Sequence, residues 1–398
     1  MSVISSAPPG TSREGSRARG PSWRGFLRGT GRVLLGIVIG VIIFVAFASL
    51  MRLQELRLPA VTGSSAVGRT EISLTDDGRA DPFASDGRRR ELAVWIWYPA
   101  LPDASATQAP YLPDAWAPVA EDFPLSQDPT TIRTHSLADA PLDGTPPVVV
   151  LQPGHSQPVA KYTALAEDLA SHGYAVVAIN ETGSALTVFP DGHAVPATPA
   201  GGPAGATVDA WYASAQRVTD VWVADAQFVV ESLRDAPPAI GPLDLSRVAY
   251  IGHSLGGAAA FEACSQDDAC AAAVDLDGTL WTEVRHAGLT APRLLLQREI
   301  SGACDEFCSR ADADFDAVMA DGDSARYTVA GATHANFGDL SLLFGITNGI
   351  DLGPIDGQRM TDLMRDTVRA FLDVHVLGDA PAAFSEAVGR YPELTPAN

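Results

Sequence analysis

The stretch Arg247-Val248-Ala249-Tyr250-Ile251-Gly252-His253-Ser254-Leu255-Gly256-Gly257-Ala258-Ala259-Ala260 decides how the chain is read. A short apolar run enters a glycine-flanked serine and leaves into small residues suited to a helix, so the Gly-x-Ser-x-Gly spacing sits between a strand and a helix. Each residue type has a reason there. A serine on so sharp a turn takes a strained backbone, and Gly252 and Gly256 leave room for the neighbouring strand and helix. The new helix aims its first N–H groups and the positive end of its dipole at charge developing on a substrate carbonyl oxygen. Ser254 is the candidate nucleophile.

Working outward, apolar runs at 92–98, 147–151, 174–179, 247–251, 271–276, 293–297 and 325–329 alternate with helical patterns at 159–171, 208–233, from 255, 309–320 and 358–376. Continuous apolar runs alternating with helices predict buried parallel strands joined by crossovers. The expectation is one α/β domain over 91–380, a mostly parallel sheet with helices on both faces. Segments 100–145 and 183–205, rich in Pro, Gly and Ala, read as irregular insertions able to cover a cleft. Residues 52–90 read as a linker and 381–398 as a tail.

A serine hydroxyl needs a base to take its proton and an acid to orient that base, in the chain order Ser, acid, His. His253 is the variable position of the turn and points away from Oγ. His286 lacks a strand before it, and His375 falls in the closing helix. His334 follows the strand 325–329, where a loop can present an imidazole over the sheet, and is the expected base. Asp277, at the end of the strand 271–276, is the candidate acid, with Glu299 and Asp305 after the next strand as alternatives. Backbone N–H groups of Leu255 and of His155, in Gln152-Pro153-Gly154-His155-Ser156, are the expected oxyanion donors.

Together the run ending Trp97-Tyr98-Pro99, the segment Asp168-Leu169-Ala170-Ser171-His172-Gly173-Tyr174, the serine turn, Leu276-Asp277 and Gly331-Ala332-Thr333-His334-Ala335-Asn336-Phe337-Gly338-Asp339 resemble the platelet-activating factor acetylhydrolase family. The resemblance covers roughly residues 90–377. It implies the α/β-hydrolase fold, hydrolysis of short or oxidised acyl esters of phospholipids, and no metal or organic cofactor. It also favours Asp277, because that family carries its acid on the strand after the nucleophile. Pro153-Gly154 stands where the family has His-Gly, and with Gly331-Ala332-Thr333-His334 it is similar to cutinase-like polyester hydrolases and lipases. A non-catalytic surface-binding domain on the same scaffold is the reading from another class.

Charge adds a compartment to this reading. The chain has 27 Lys and Arg against 48 Asp and Glu, a net charge of −21, which repels nucleic acid. Its first part is nevertheless basic, with Arg13, Arg17, Arg19, Arg24, Arg28 and Arg32 preceding an uncharged run of 19 residues, 33–51. As a helix that run would reach roughly 28 Å, so 1–32 reads as a disordered cytoplasmic stub and 33–51 as one transmembrane anchor. Ala46-Phe47-Ala48 offers a signal-peptidase alternative, cleavage after Ala48 giving a secreted protein. An exported body suits the four cysteines, expected to pair locally as Cys264 with Cys270 and Cys304 with Cys308.

Overall fold

A computed structural model describes residues 23–52, 56–102, 105–122, 128–236, 238–300, 304–320, 322–343 and 351–397; within 23–52 the side chains described are those of 33–47, 49 and 50. Contacts divide the chain into Met1–Met51 and Arg52–Asn398.

The first unit contains helix α1, Trp23–Arg52, in which apolar side chains such as Val33, Ile43 and Phe47 are exposed. The run expected at 33–51 is thus helical. Among the described residues no helix is long and apolar enough to cross a membrane. The expected stub falls largely outside the described residues, which begin at Trp23.

The second unit is built on a ten-stranded sheet. Its strands are β1 (Ala66–Ala80), β2 (Arg89–Ala100), β3 (Ser136–Ala138), β4 (Pro147–Gln152), β5 (Ala175–Asn180), β8 (Asp244–His253), β9 (Cys270–Leu276), β10 (Arg293–Arg298), β11 (Ser324–Val329) and β12 (Leu394–Pro396). The short strands β6 (Thr187–Val188) and β7 (Ala194–Val195) form a separate hairpin. The order is β12-β11-β10-β9-β8-β4-β5-β2-β1-β3, parallel from β11 through β5. β2 and β1 add antiparallel at one side, and β12 at the other.

Alternation along the strands sorts the core into two layers. Val149 and Leu151 of β4 pack with helices α2 (Thr163–Ser171) and α7 (Gly357–Leu372). Val148 and Val150 face the other way, toward α3 (Val208–Asp235) and α4 (Leu255–Gln266). Helices α5 (Val284–Ala287) and α6 (Glu306–Met319) join this second layer, and α8 (Ala382–Gly389) the first. The expected mixed α/β architecture, mostly parallel and covered on both faces, is observed.

Two boundaries differ from expectation. Residues 52–90 are not a linker, because β1 pairs along β2 from Ala66 opposite Ala100 to Ala80 opposite Arg89. Val67, Ile72 and Leu74 pack on the core, and backbone bonds and ions add to the hold of this weakly apolar sequence. Arg90 is fully buried, with Nη2 2.6 Å from Asp225 on α3 and Nη1 3.2 Å from Asp81, while Arg79 reaches the same Asp225 at 2.8 Å. Nor is 381–398 a free tail, since it forms α8 and places Leu394 opposite Val329 in the sheet. The insertion 100–145 is also anchored, with Tyr111 and Trp116 buried and β3 paired to β1.

Replacing one partner of a buried ion pair leaves the other charge uncompensated. Asp225→Ala should therefore lower the unfolding free energy by about 3 kcal/mol or more, measured by urea denaturation. A loss no larger than that of an exposed substitution would show that Arg90 is held by its other partners alone.

Candidate active site

The site forms where β8, β9, β10 and β11 end side by side. Ser254 follows β8 with φ 57° and ψ −119° and caps α4. Its N–H donates to the Leu276 carbonyl at the end of β9, 2.9 Å. The glycines are there for lack of space: a Cβ on Gly252 would lie 1.9 Å from the Gly256 oxygen, and one on Gly256 2.3 Å from the Gln152 oxygen. The second approach brings the first turn of α4, and Leu255 with it, against the loop that carries His155.

Asp277 follows β9 directly and is the second strained residue, with φ 56°. Among the described residues four non-glycine positions have positive φ; Ser254 and Asp277 are two, and Ser156, beside His155, is a third. Left-handed backbone at residues without special freedom marks places that the surroundings over-determine.

His334 joins the two. Its Nε2 lies 2.9 Å from Ser254 Oγ and its Nδ1 2.5 Å from Asp277 Oδ2. Burial on its own would raise the Asp277 carboxyl, but the hydrogen bond from His334, the charge of that ring and Arg298 outweigh it and hold the group below the ordinary range. Arg298, the last residue of β10, donates its backbone N–H to Asp277 Oδ1 at 2.8 Å and its Nη1 to Oδ2 at 2.6 Å.

The other sequence candidates have different places. Glu299 accepts the Gly331 N–H at 2.9 Å, and Asp305 caps α6 by accepting from Cys308. His286 lies in α5, and His375 packs its ring at a tilt near Phe371 beyond α7. His253 does point away from Ser254, yet it is not idle. Its Nδ1 is 2.8 Å from the Tyr162 hydroxyl and its Nε2 3.1 Å from the His334 carbonyl oxygen. Burial, reinforced by His334, pushes this imidazole down to about 3, so the ring is neutral. A neutral ring whose Nε2 faces a carbonyl carries its proton there, so Nδ1 accepts from Tyr162. The Tyr162 oxygen in turn accepts the Gly154 N–H, 2.9 Å. One buried chain thus ties the loop of His155 to the backbone of His334.

Two further side chains fix the His334 loop. Asn336 Oδ1 accepts from the Thr333 N–H, the Thr333 hydroxyl and the Gly353 N–H. Asp339 accepts the Ala164 N–H in the first turn of α2, 3.2 Å. Sequence reading found neither Tyr162 nor Arg298, since a lone tyrosine or arginine carries no motif; position right after the apolar run of β10 was the one available signal for Arg298.

Ser254 and His334 line a cleft of about 300 Å3 with Gly154, His155, Tyr162, Phe337 and Leu340. No described residue of 100–145 or 183–205 lines it. The described residues of these insertions thus add no wall to the cleft. Cys304, Cys308 and Asp312 cluster as metal ligands would, but the two sulfurs are joined in a disulfide and offer no thiolate. Cys264 and Cys270 are likewise joined, so both local pairings are observed.

Residues 215–380 match the family model of platelet-activating factor acetylhydrolase, isoform II. The resemblance drawn from the sequence is borne out. Ser254, Asp277, Arg298 and His334 all lie within the segment matched to this acetylhydrolase family. The platelet-activating factor acetylhydrolase of Canis lupus familiaris is 26% identical over 159 residues, 39% of this chain and 34% of that protein. A probable 1-alkyl-2-acetylglycerophosphocholine esterase of Arthroderma benhamiae is 25% identical over 145 residues, 36% and 34%. The chain spans about a third, 34%, of the length of these curated relatives. A solved ferulic acid esterase from Streptomyces cinnamoneus superposes with a TM-score of 0.75 at 29% identity, covering 87% of this chain and 100% of that one.

Burial is the main cause that pushes Asp339 up to about 7, against the Ala164 N–H and Tyr111, which favour the anion. The unfolded chain ionises this carboxyl near its usual 3.8, whereas the folded chain keeps the proton up to about 7. Its contribution to stability is complete below the lower value and is lost as pH rises to the upper one. Asp339→Asn, which keeps an acceptor for Ala164, should shrink the difference in Tm between pH 5 and pH 8 by about 3 °C. An unchanged difference in calorimetry would mean that Asp339 is ionised in the folded chain at neutral pH.

Proposed function

We propose that the protein is a serine carboxylic ester hydrolase working through an acyl-enzyme. The observation that carries this is Ser254 Oγ, His334 and Asp277 in one hydrogen-bonded line, 2.9 and 2.5 Å, at a cleft in a fold shared with an esterase. His334 bears its proton on Nδ1, donated to Asp277, which leaves Nε2 to accept from the serine. As Oγ attacks the ester carbon, Nε2 takes the proton, and the backbone N–H groups of Leu255 and His155 receive the charge on the tetrahedral oxygen. His334 returns the proton to the leaving alcohol, and water repeats the sequence on the acyl-enzyme.

The substrates are short-chain or oxidised acyl esters, including those of phospholipids. Support comes from the names of the two relatives and from a cleft of about 300 Å3, which suits a short acyl group. A second reading, a cutinase-like polyester or aryl-ester hydrolase, is favoured by the cleft having no lining from the described residues of either insertion and by the ferulic acid esterase neighbour. The catalytic body works outside the cytoplasm, held by residues 33–51 or released after Ala48. The exposed apolar side chains of α1 and the two disulfides support that placement.

The full chain should hydrolyse short nitrophenyl esters, and Ser254→Ala should lower kcat/KM at least about a thousand-fold. Equal rates would refute the esterase reading, and a serine that no fluorophosphonate labels would favour a non-catalytic binding domain. Activity rising with acyl length or on polymer film would favour the second reading.

A further inference from the structure

Arg298 touches two members of the proposed triad at once. Its Nη1 is 2.6 Å from Asp277 Oδ2 and 3.2 Å from His334 Nδ1. A guanidinium has donors only, so it cannot accept from His334. When Nδ1 holds the proton that the mechanism needs, Arg298 and His334 are two donors converging on one carboxylate oxygen. Were Arg298 to donate to Nδ1 instead, the ring proton would sit on Nε2 and Ser254 would have no base.

We infer that Arg298 is a positioning residue that acts through Asp277, fixing both carboxylate oxygens so that His334 donates from Nδ1 and keeps Nε2 free for Ser254. The inference rests on the serine hydrolase reading. The backbone N–H of Arg298 takes Oδ1 and the guanidinium shares Oδ2, so the carboxylate is bound at both oxygens before the imidazole is counted.

Glu299, the next residue of the chain, turns instead to the Gly331 N–H, which leaves Arg298 beside both Asp277 and His334.

The test is the rate at which a fluorophosphonate labels Ser254 between pH 4 and 9 in the full chain, Arg298→Gln and Arg298→Lys. Labelling reports activation of the serine without the choice of an ester. In Arg298→Gln labelling should be roughly ten-fold slower across the profile, as a misplaced acid would make it. Arg298→Lys, which keeps a donor for Oδ2, should recover most of the rate. Unchanged labelling in Arg298→Gln, or the same loss in Arg298→Lys, would overturn the inference. A wild-type chain that is never labelled would instead overturn the hydrolase reading, and this inference with it.

Discussion

The turn at Ser254 is possible only where three strand ends and a helix start crowd together, and most of the active end of the molecule follows from that crowding. The residue sits at φ 57° with its N–H on Leu276. Gly252 lies against Gly256, and Gly256 against the end of β4, closer than any side chain could come. Because α4 starts so near β4, the His155 loop is next to the helix N-terminus. Because the serine is bonded to the end of β9, Asp277 begins one residue beyond the same contact. A left-handed serine costs on the order of 1–3 kcal/mol, which the packing of β4, β8 and β9 offsets.

From this turn the site extends along the sheet rather than into the loops. Acid, positioning arginine and base follow β9, β10 and β11 in that order, and parallel neighbours deliver their ends to one edge. The loop bearing His334 is the least regular of these supports. It is therefore the most heavily tied, by Asn336 within the loop, by Asp339 to α2 and by His253 and Tyr162 to the loop of His155. Each tie buries a polar group, and the neutral His253 and the raised Asp339 carboxyl are consequences of that burial.

The rest of the second unit keeps this edge rigid by different means on its two sides. Toward β12 the sheet is closed by a short strand whose hold is backbone pairing with β11. Toward β1 it is closed by ions, with Arg90, Asp81 and Asp225 buried between strands and α3 and the half-buried Arg79 reaching the same Asp225. Both closures use residues whose local sequence looks like linker or tail, since neither backbone pairing nor a long-range ion pair leaves an apolar period to read.

What the sequence determined on its own was whatever depends on local order. Apolar runs of β8, β9, β10 and β11 and the glycine spacing around Ser254 are contiguous, so the strands, the serine turn and a base at His334 were legible in the sequence, with Asp277, Glu299 and Asp305 as candidates for the acid. So were the two disulfides, each closing between neighbouring cysteines. Tertiary structure decided what depends on distance across the sheet: that Glu299 turns to Gly331 while Asp277 meets His334, that β1 and β12 are strands, and that Tyr162 and Arg298 join the site. These choices rest on contacts between residues far apart in the chain, and no spacing in the sequence encodes them.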